Sequence, residues 1–80
     1  MTLRDADDFT IVRRTGSMAS VGPKAGAFAI VGPGLDREGI PFLTVELATA
    51  RGRCIAENTR VSLWDATGSG RAALIVTFRR

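Results

Sequence analysis

Two glycine-rich stretches contain the residue types that can bind phosphate groups. The first, VGPKAGAFAIVGPG at positions 21–34, repeats Val-Gly-Pro at a spacing of ten residues. A Walker-type phosphate loop needs Gly-Lys-Ser/Thr leading into a helix. Here Lys24 precedes Gly26, no hydroxyl residue follows that glycine, and Pro33 removes a backbone N–H donor that a phosphate cradle would use. The stretch therefore predicts a strand with a turn at each end.

The second stretch, Gly68-Ser69-Gly70-Arg71-Ala72-Ala73, fits the Gly-x-Gly-x-x-Gly/Ala fingerprint of dinucleotide-binding proteins. That fingerprint requires a helix to begin at the glycines, with an acidic residue about 20 positions further on. The residues that follow, LIVTF at 74–78, favour a strand instead. The pattern indicates the turn of a β-hairpin, and no cofactor is predicted.

Catalytic and metal-binding groups are scarce in this sequence. It contains no histidine, so Ser-His-Asp and Cys-His arrangements cannot form within the chain. Its one cysteine, Cys54, excludes an internal disulfide and is interpreted as a small apolar core residue. The acidic residues Asp5, Asp7 and Asp8 lack the glycine and terminal glutamate of a calcium loop and are interpreted as a solvated face. We expect neither an enzyme nor a metal site.

Composition indicates a globular domain with a modest positive charge. Of the 80 residues, 45% are hydrophobic and 24% are charged, and the net charge is +3. Ten of the eleven basic residues are arginines. This preference either serves phosphate binding, for which the guanidinium group is suited, or reflects a compositional bias. No apolar run approaches the ~20 residues of a membrane helix, and the acidic start is unlike a cleavable signal peptide. We expect a cytoplasmic or assembly-associated protein that does not contact a membrane.

Turn signals recur every eight to twelve residues, with β-forming runs between them, and this pattern is typical of all-β domains. The best-supported hairpin joins the last two runs, because Gly68 and Gly70 lie between them. The predicted strands are 8–14, 18–21, 25–31, 40–47, 54–56, 60–65 and 71–79.

These runs predict one β domain over residues 1–80, with residues 1–7 as a loose N-terminal arm. Its fold is expected to be all-β, a small antiparallel barrel or sandwich of five to seven short strands. One segment has an alternative, because Pro41 and Gly52 would also frame a short helix near 42–51. A strand is favoured there, since Phe42, Thr44 and Val45 prefer extended backbone.

The final run, AALIVTF at 72–78, is apolar on both faces of a strand. Strands with this pattern are covered on both sides, and so short a chain has little material for a second cover. We therefore expect a homo-oligomer or docking onto a larger protein assembly, as in a scaffold or capsid-accessory subunit. The predicted subunit interface comprises Ala73, Ile75, Thr77 and Trp64.

The alternative is a small β-barrel that binds single-stranded nucleic acid. Such barrels combine a basic groove with aromatic side chains that stack on bases. Trp64 alternates with Leu63 along its strand, so it is expected to face away from the core. The residues that would carry this function are Arg51, Arg53, Arg60 and Trp64.

Overall fold

The computed structural model describes residues 6–14, 26–35, 39–68 and 70–79. These residues form five strands and one helix. In chain order they are β1 (Phe9–Arg13), β2 (Phe28–Val31), β3 (Ile40–Phe42), α1 (Val45–Thr59), β4 (Ser62–Ala66) and β5 (Ala73–Thr77).

The strands form a single sheet in the order β3-β2-β1-β4-β5. Neighbouring strands are antiparallel except at the centre, where β1 and β4 run parallel with Phe9 opposite Leu63. A short turn can join two antiparallel strands, whereas two parallel strands require a longer crossover connection. Helix α1 supplies that crossover between β3 and β4, so the sheet is mixed.

The hydrophobic core lies between α1 and one face of the sheet. The side chains of Ile11, Ile30 and Leu63 are fully buried there and belong to one cluster with Ala48 and Ala56 of the helix. The residues of α1 that are buried against the sheet are small and four positions apart: Ala48, Gly52 and Ala56. This spacing places them on one face of the helix, where their size lets the two layers approach closely.

Both ends of α1 have defined caps. Thr44 precedes the helix in an extended conformation, and its Oγ1 accepts a hydrogen bond of 3.1 Å from the backbone N–H of Leu47. Such an N-cap satisfies one of the N–H groups that a helix start leaves unpaired. At the other end Arg60 adopts the left-handed conformation, with φ of 56°, and its N–H donates to carbonyls of the last turn.

The helix corrects two strand predictions. The strand expected over 40–47 stops at Phe42, and the strand expected over 54–56 lies inside α1. The alternative helix near 42–51 is correct in kind, but α1 extends to Thr59 and Gly52 lies in its interior rather than at its end. The Thr44 cap and the stripe of small residues outweigh the local β preference, because burial against a sheet dominates helix stability in proteins.

The prediction of a small domain consisting mainly of short strands is confirmed, and the β4–β5 hairpin forms as expected. The expected antiparallel barrel or sandwich is not what forms: the β1–β4 pair is parallel, and over the described ranges the sheet does not close into a barrel. The predicted strand 18–21 and residues 1–5 of the expected N-terminal arm lie outside the described residues.

The described part of the first glycine-rich stretch contains a strand followed by a turn, as predicted, whereas the turn expected before that strand lies outside the described residues. Strand β2 follows Gly26 and leads into a turn in which the N–H of Leu35 donates to the carbonyl of Gly32. After Gly70 the chain enters β5 rather than a helix, so the dinucleotide fingerprint has no structural counterpart. Among the described residues, no helix has the length and apolar character needed to cross a membrane.

Candidate functional site

The strand β5 forms one edge of the sheet. It pairs with β4 on its inner side, and the hydroxyl of Ser62 donates to Oγ1 of Thr77 across the pair at 2.8 Å. The N–H of Phe78 extends the pairing by donating to the carbonyl of Val61. In the part of the chain that the structure describes, no strand pairs with the outer side of β5. Its outward backbone groups can therefore receive another strand.

A β-bulge interrupts the β4–β5 ladder. Leu63 lies opposite Val76, but the next residue of β4, Trp64, lies opposite Leu74. Ile75 is therefore an extra residue on the edge strand. Leu74 and Ile75 remain 39% and 36% exposed and form the apolar part of this edge.

The structure brings three of the four predicted interface residues together on β5. Ala73, Ile75 and Thr77 are all exposed. The bulge, however, breaks the strict alternation that the sequence predicts. Ala73 pairs with Asp65 on the α1 side of the sheet, whereas Thr77 pairs with Ser62 on the opposite side. These residues thus share an edge rather than a face.

Trp64 does not share that surface. Its register with Thr10 places it on the sheet face opposite Leu63, as the alternation predicts. The side chain is nevertheless only 6% exposed, so its expected exposure is wrong. The indole Nε1–H donates a 2.9 Å hydrogen bond to Oδ2 of Asp8, and the ring is held inside the domain.

Asp8 is the centre of a buried polar cluster. Its carboxylate also accepts from the backbone N–H of Ser62 at 3.0 Å and from the Arg79 guanidinium at 2.6 Å. The expectation of a solvated Asp8 is therefore wrong. A carboxylate is retained in the interior because two buried donors and one cation share its charge. The cluster connects the start of β1, the start of β4 and the segment after β5.

A second carboxylate, Asp65, lies near the hairpin turn. The Thr67 hydroxyl donates to its Oδ1 at 2.6 Å and the Thr67 backbone N–H donates at 2.8 Å. These bonds, the side-chain bond first, hold the pKa of Asp65 below its usual value against the opposing effect of partial burial. Asp65 therefore stabilises the turn before β5.

The predicted nucleic-acid residues do not form one surface. Arg51 and Arg53 are both exposed on α1. They are two residues apart, however, and therefore lie on opposite flanks of the helix at about 100° per residue. Arg60 lies beyond the C-terminal end of α1, and Trp64 is buried on the other side of the sheet. The arginines are accessible but dispersed.

Another apolar pair lies at the start of α1. Leu43 is 69% exposed and Leu47, one helical turn later, is 53% exposed. Both follow β3, the strand at the other edge of the sheet. Leu47 belongs to the predicted strand 40–47, but it lies in α1 instead. Its exposure follows from its position on the outer side of the helix.

Two open grooves flank the C-terminal end of α1. One, of about 510 Å³, is lined by Glu57, Asn58, Arg60 and Phe78. The other, of about 420 Å³, is lined by Asp7, Phe9, Pro33, Gly34, Thr59 and Val61. In the second groove the Thr59 hydroxyl donates a 2.9 Å hydrogen bond to the carbonyl of Ile55 within the helix.

Cys54 lies on the exposed side of α1, which corrects its assignment to the core. Within the described ranges, no three residues of the His, Cys, Asp and Glu types gather as metal ligands would. The comparisons with known proteins supply no further site, because no protein-family model, curated protein or solved structure matches the chain.

Proposed function

We propose that this domain is a non-catalytic β module that acts by associating with copies of itself, as a structural subunit of an assembly. The observation that carries the proposal is the outer edge of β5, which presents Leu74 and Ile75 beside backbone groups that no described strand pairs. An edge strand of this kind is a template for another strand.

The small hydrophobic core of the described residues supports the same proposal. A domain of about 60–80 residues buries a smaller fraction of its surface than a larger one and has a marginal core. The usual supplements are disulfides, metals or association. The single cysteine excludes an internal disulfide, so association is the route that the exposed apolar edge favours.

Light scattering across a protein concentration series tests the proposal. We expect the mass to rise from that of one chain to a defined multiple, and to be retained in sulfate, which strengthens apolar burial. A mass equal to one chain at every concentration would contradict the proposal.

The same series with a labelled single-stranded oligonucleotide tests the alternative. Binding that requires Arg51 and Arg53 and weakens steeply with salt would favour nucleic-acid recognition, because released counterions dominate such binding. We expect no such binding, since these two side chains lie on opposite flanks of α1.

A further inference from the structure

We infer that two copies pair through the outer edges of β5, antiparallel and across a two-fold axis, and that the assembly closes at two. This inference rests on the proposed self-association and specifies its geometry. The product is one continuous sheet with twice the five strands that the described residues form.

The two edges of the sheet are chemically different. The β3 edge has three residues with Pro41 at its centre. Proline has no N–H to donate, and a short edge strand that contains it resists further pairing. The β5 edge has five residues, ALIVT, without proline, glycine or charge. Growth from both edges would give a filament, but with one edge blocked we expect growth to end at a dimer.

The side chains of β5 suit a second copy of the same strand. No charge lies between Ala72 and Phe78, so antiparallel pairing centred on Ile75 brings no like charges together within the strand. At its ends this register places Arg71 opposite Arg79 of the other copy. The carboxylate of Asp8 already compensates the Arg79 charge at 2.6 Å, so repulsion there is reduced.

The bulge limits how much the backbone ladder can contribute. The extra residue disturbs regular hydrogen bonding in the middle of the edge. Burial of Leu74 and Ile75 from both copies must therefore supply much of the stabilisation, in proportion to the apolar area removed from water. Ile75, at the centre of the pairing, is therefore the position at which a substitution should weaken the dimer most.

A pair of matched lysine variants tests the edge. Ile75→Lys places a charge at the centre of the interface and should give single-chain mass throughout the concentration range. Leu43→Lys changes a more exposed leucine at the other side of the domain and should leave the dimer intact. If Ile75→Lys still dimerises, or if Leu43→Lys dissociates the dimer, the β5 geometry is wrong while self-association stands.

A cross-linking experiment decides the register without relying on the lysine variant to fold. In a Cys54→Ser background, Ile75→Cys should form an intermolecular disulfide on mild oxidation, because a two-fold axis at residue 75 places both sulfurs side by side. Leu43→Cys in the same background should not. Cross-linking only at position 43, or growth into polymers, would overturn the inference. A wild-type chain that is monomeric throughout would refute the proposed function as well.

Discussion

Replacing Asp8 with alanine is the most informative test of how the domain is held together. Its side chain is fully buried and accepts hydrogen bonds from Ser62, Trp64 and Arg79. The substitution leaves the Ser62 N–H and the indole N–H without their acceptor, at about 1–3 kcal/mol for each buried donor. The Arg79 side chain is 37% exposed and can be rehydrated, so its loss adds little.

We therefore expect Asp8→Ala to lower the free energy of unfolding by about 2–6 kcal/mol, the sum for two buried donors that lose their acceptor. Urea unfolding followed by the fluorescence of Trp64, the only tryptophan, measures this loss directly. All variants are compared at one protein concentration, because self-association couples stability to concentration. Glu57→Ala removes an exposed carboxylate and should change stability by less than about 0.5 kcal/mol. A loss below about 1 kcal/mol for Asp8→Ala would refute the buried cluster.

Three further substitutions test individual features. Arg60→Gly should stabilise the domain by about 0.5–1 kcal/mol, because glycine adopts the left-handed cap at φ of 56° without strain. Gly52→Ala should cost about 1 kcal/mol net, since the added Cβ would lie 2.8 Å from a methyl of the buried Leu63. Thr67→Val should cost about 0.5–1 kcal/mol at neutral pH by removing the hydroxyl that lowers the pKa of Asp65. A carboxylate whose pKa is lower in the folded state stabilises the fold at pH values above its unfolded pKa. The difference in stability between Thr67→Val and the unmodified chain should therefore vanish as the pH falls through the folded pKa of Asp65.

Each of these substitutions has a control measured by the same urea unfolding. Arg53→Gly, inside α1, should destabilise by about 1 kcal/mol, and a loss of similar size at Arg60 would argue against the cap. In a Leu63→Ala background Gly52→Ala should become stabilising, because the clash is gone and alanine favours helix. If Gly52→Ala lowers the free energy of unfolding equally in both backgrounds, the close approach of α1 to Leu63 does not cause the loss. A Thr67→Val difference that is constant with pH would show that Asp65 is not involved.

Local signals in the sequence predicted those parts of the fold that depend on neighbouring residues. The β4–β5 hairpin is an example, because glycines lie between two β-forming runs and the turn closes over a short distance. The face of Trp64 was predictable for the same reason, since side chains alternate along a strand.

Features that depend on distant residues were not predictable in this way. The alternative helix near 42–51 has Gly52 just past its end, but this residue lies within α1, where Leu63 of a later strand packs against it. Asp8 was assigned to a solvated face, yet its partners lie more than fifty positions away. The bulge at Ile75 likewise follows from pairing with β4 and has no signal in its own strand.

Sedimentation equilibrium of the unmodified chain, diluted from high micromolar to nanomolar concentration, tests the central claim most directly. We predict a reversible transition between two masses, one twice the other, with no larger species. A single species with the mass of one chain over the whole range would contradict the claim that the β5 edge receives a second copy.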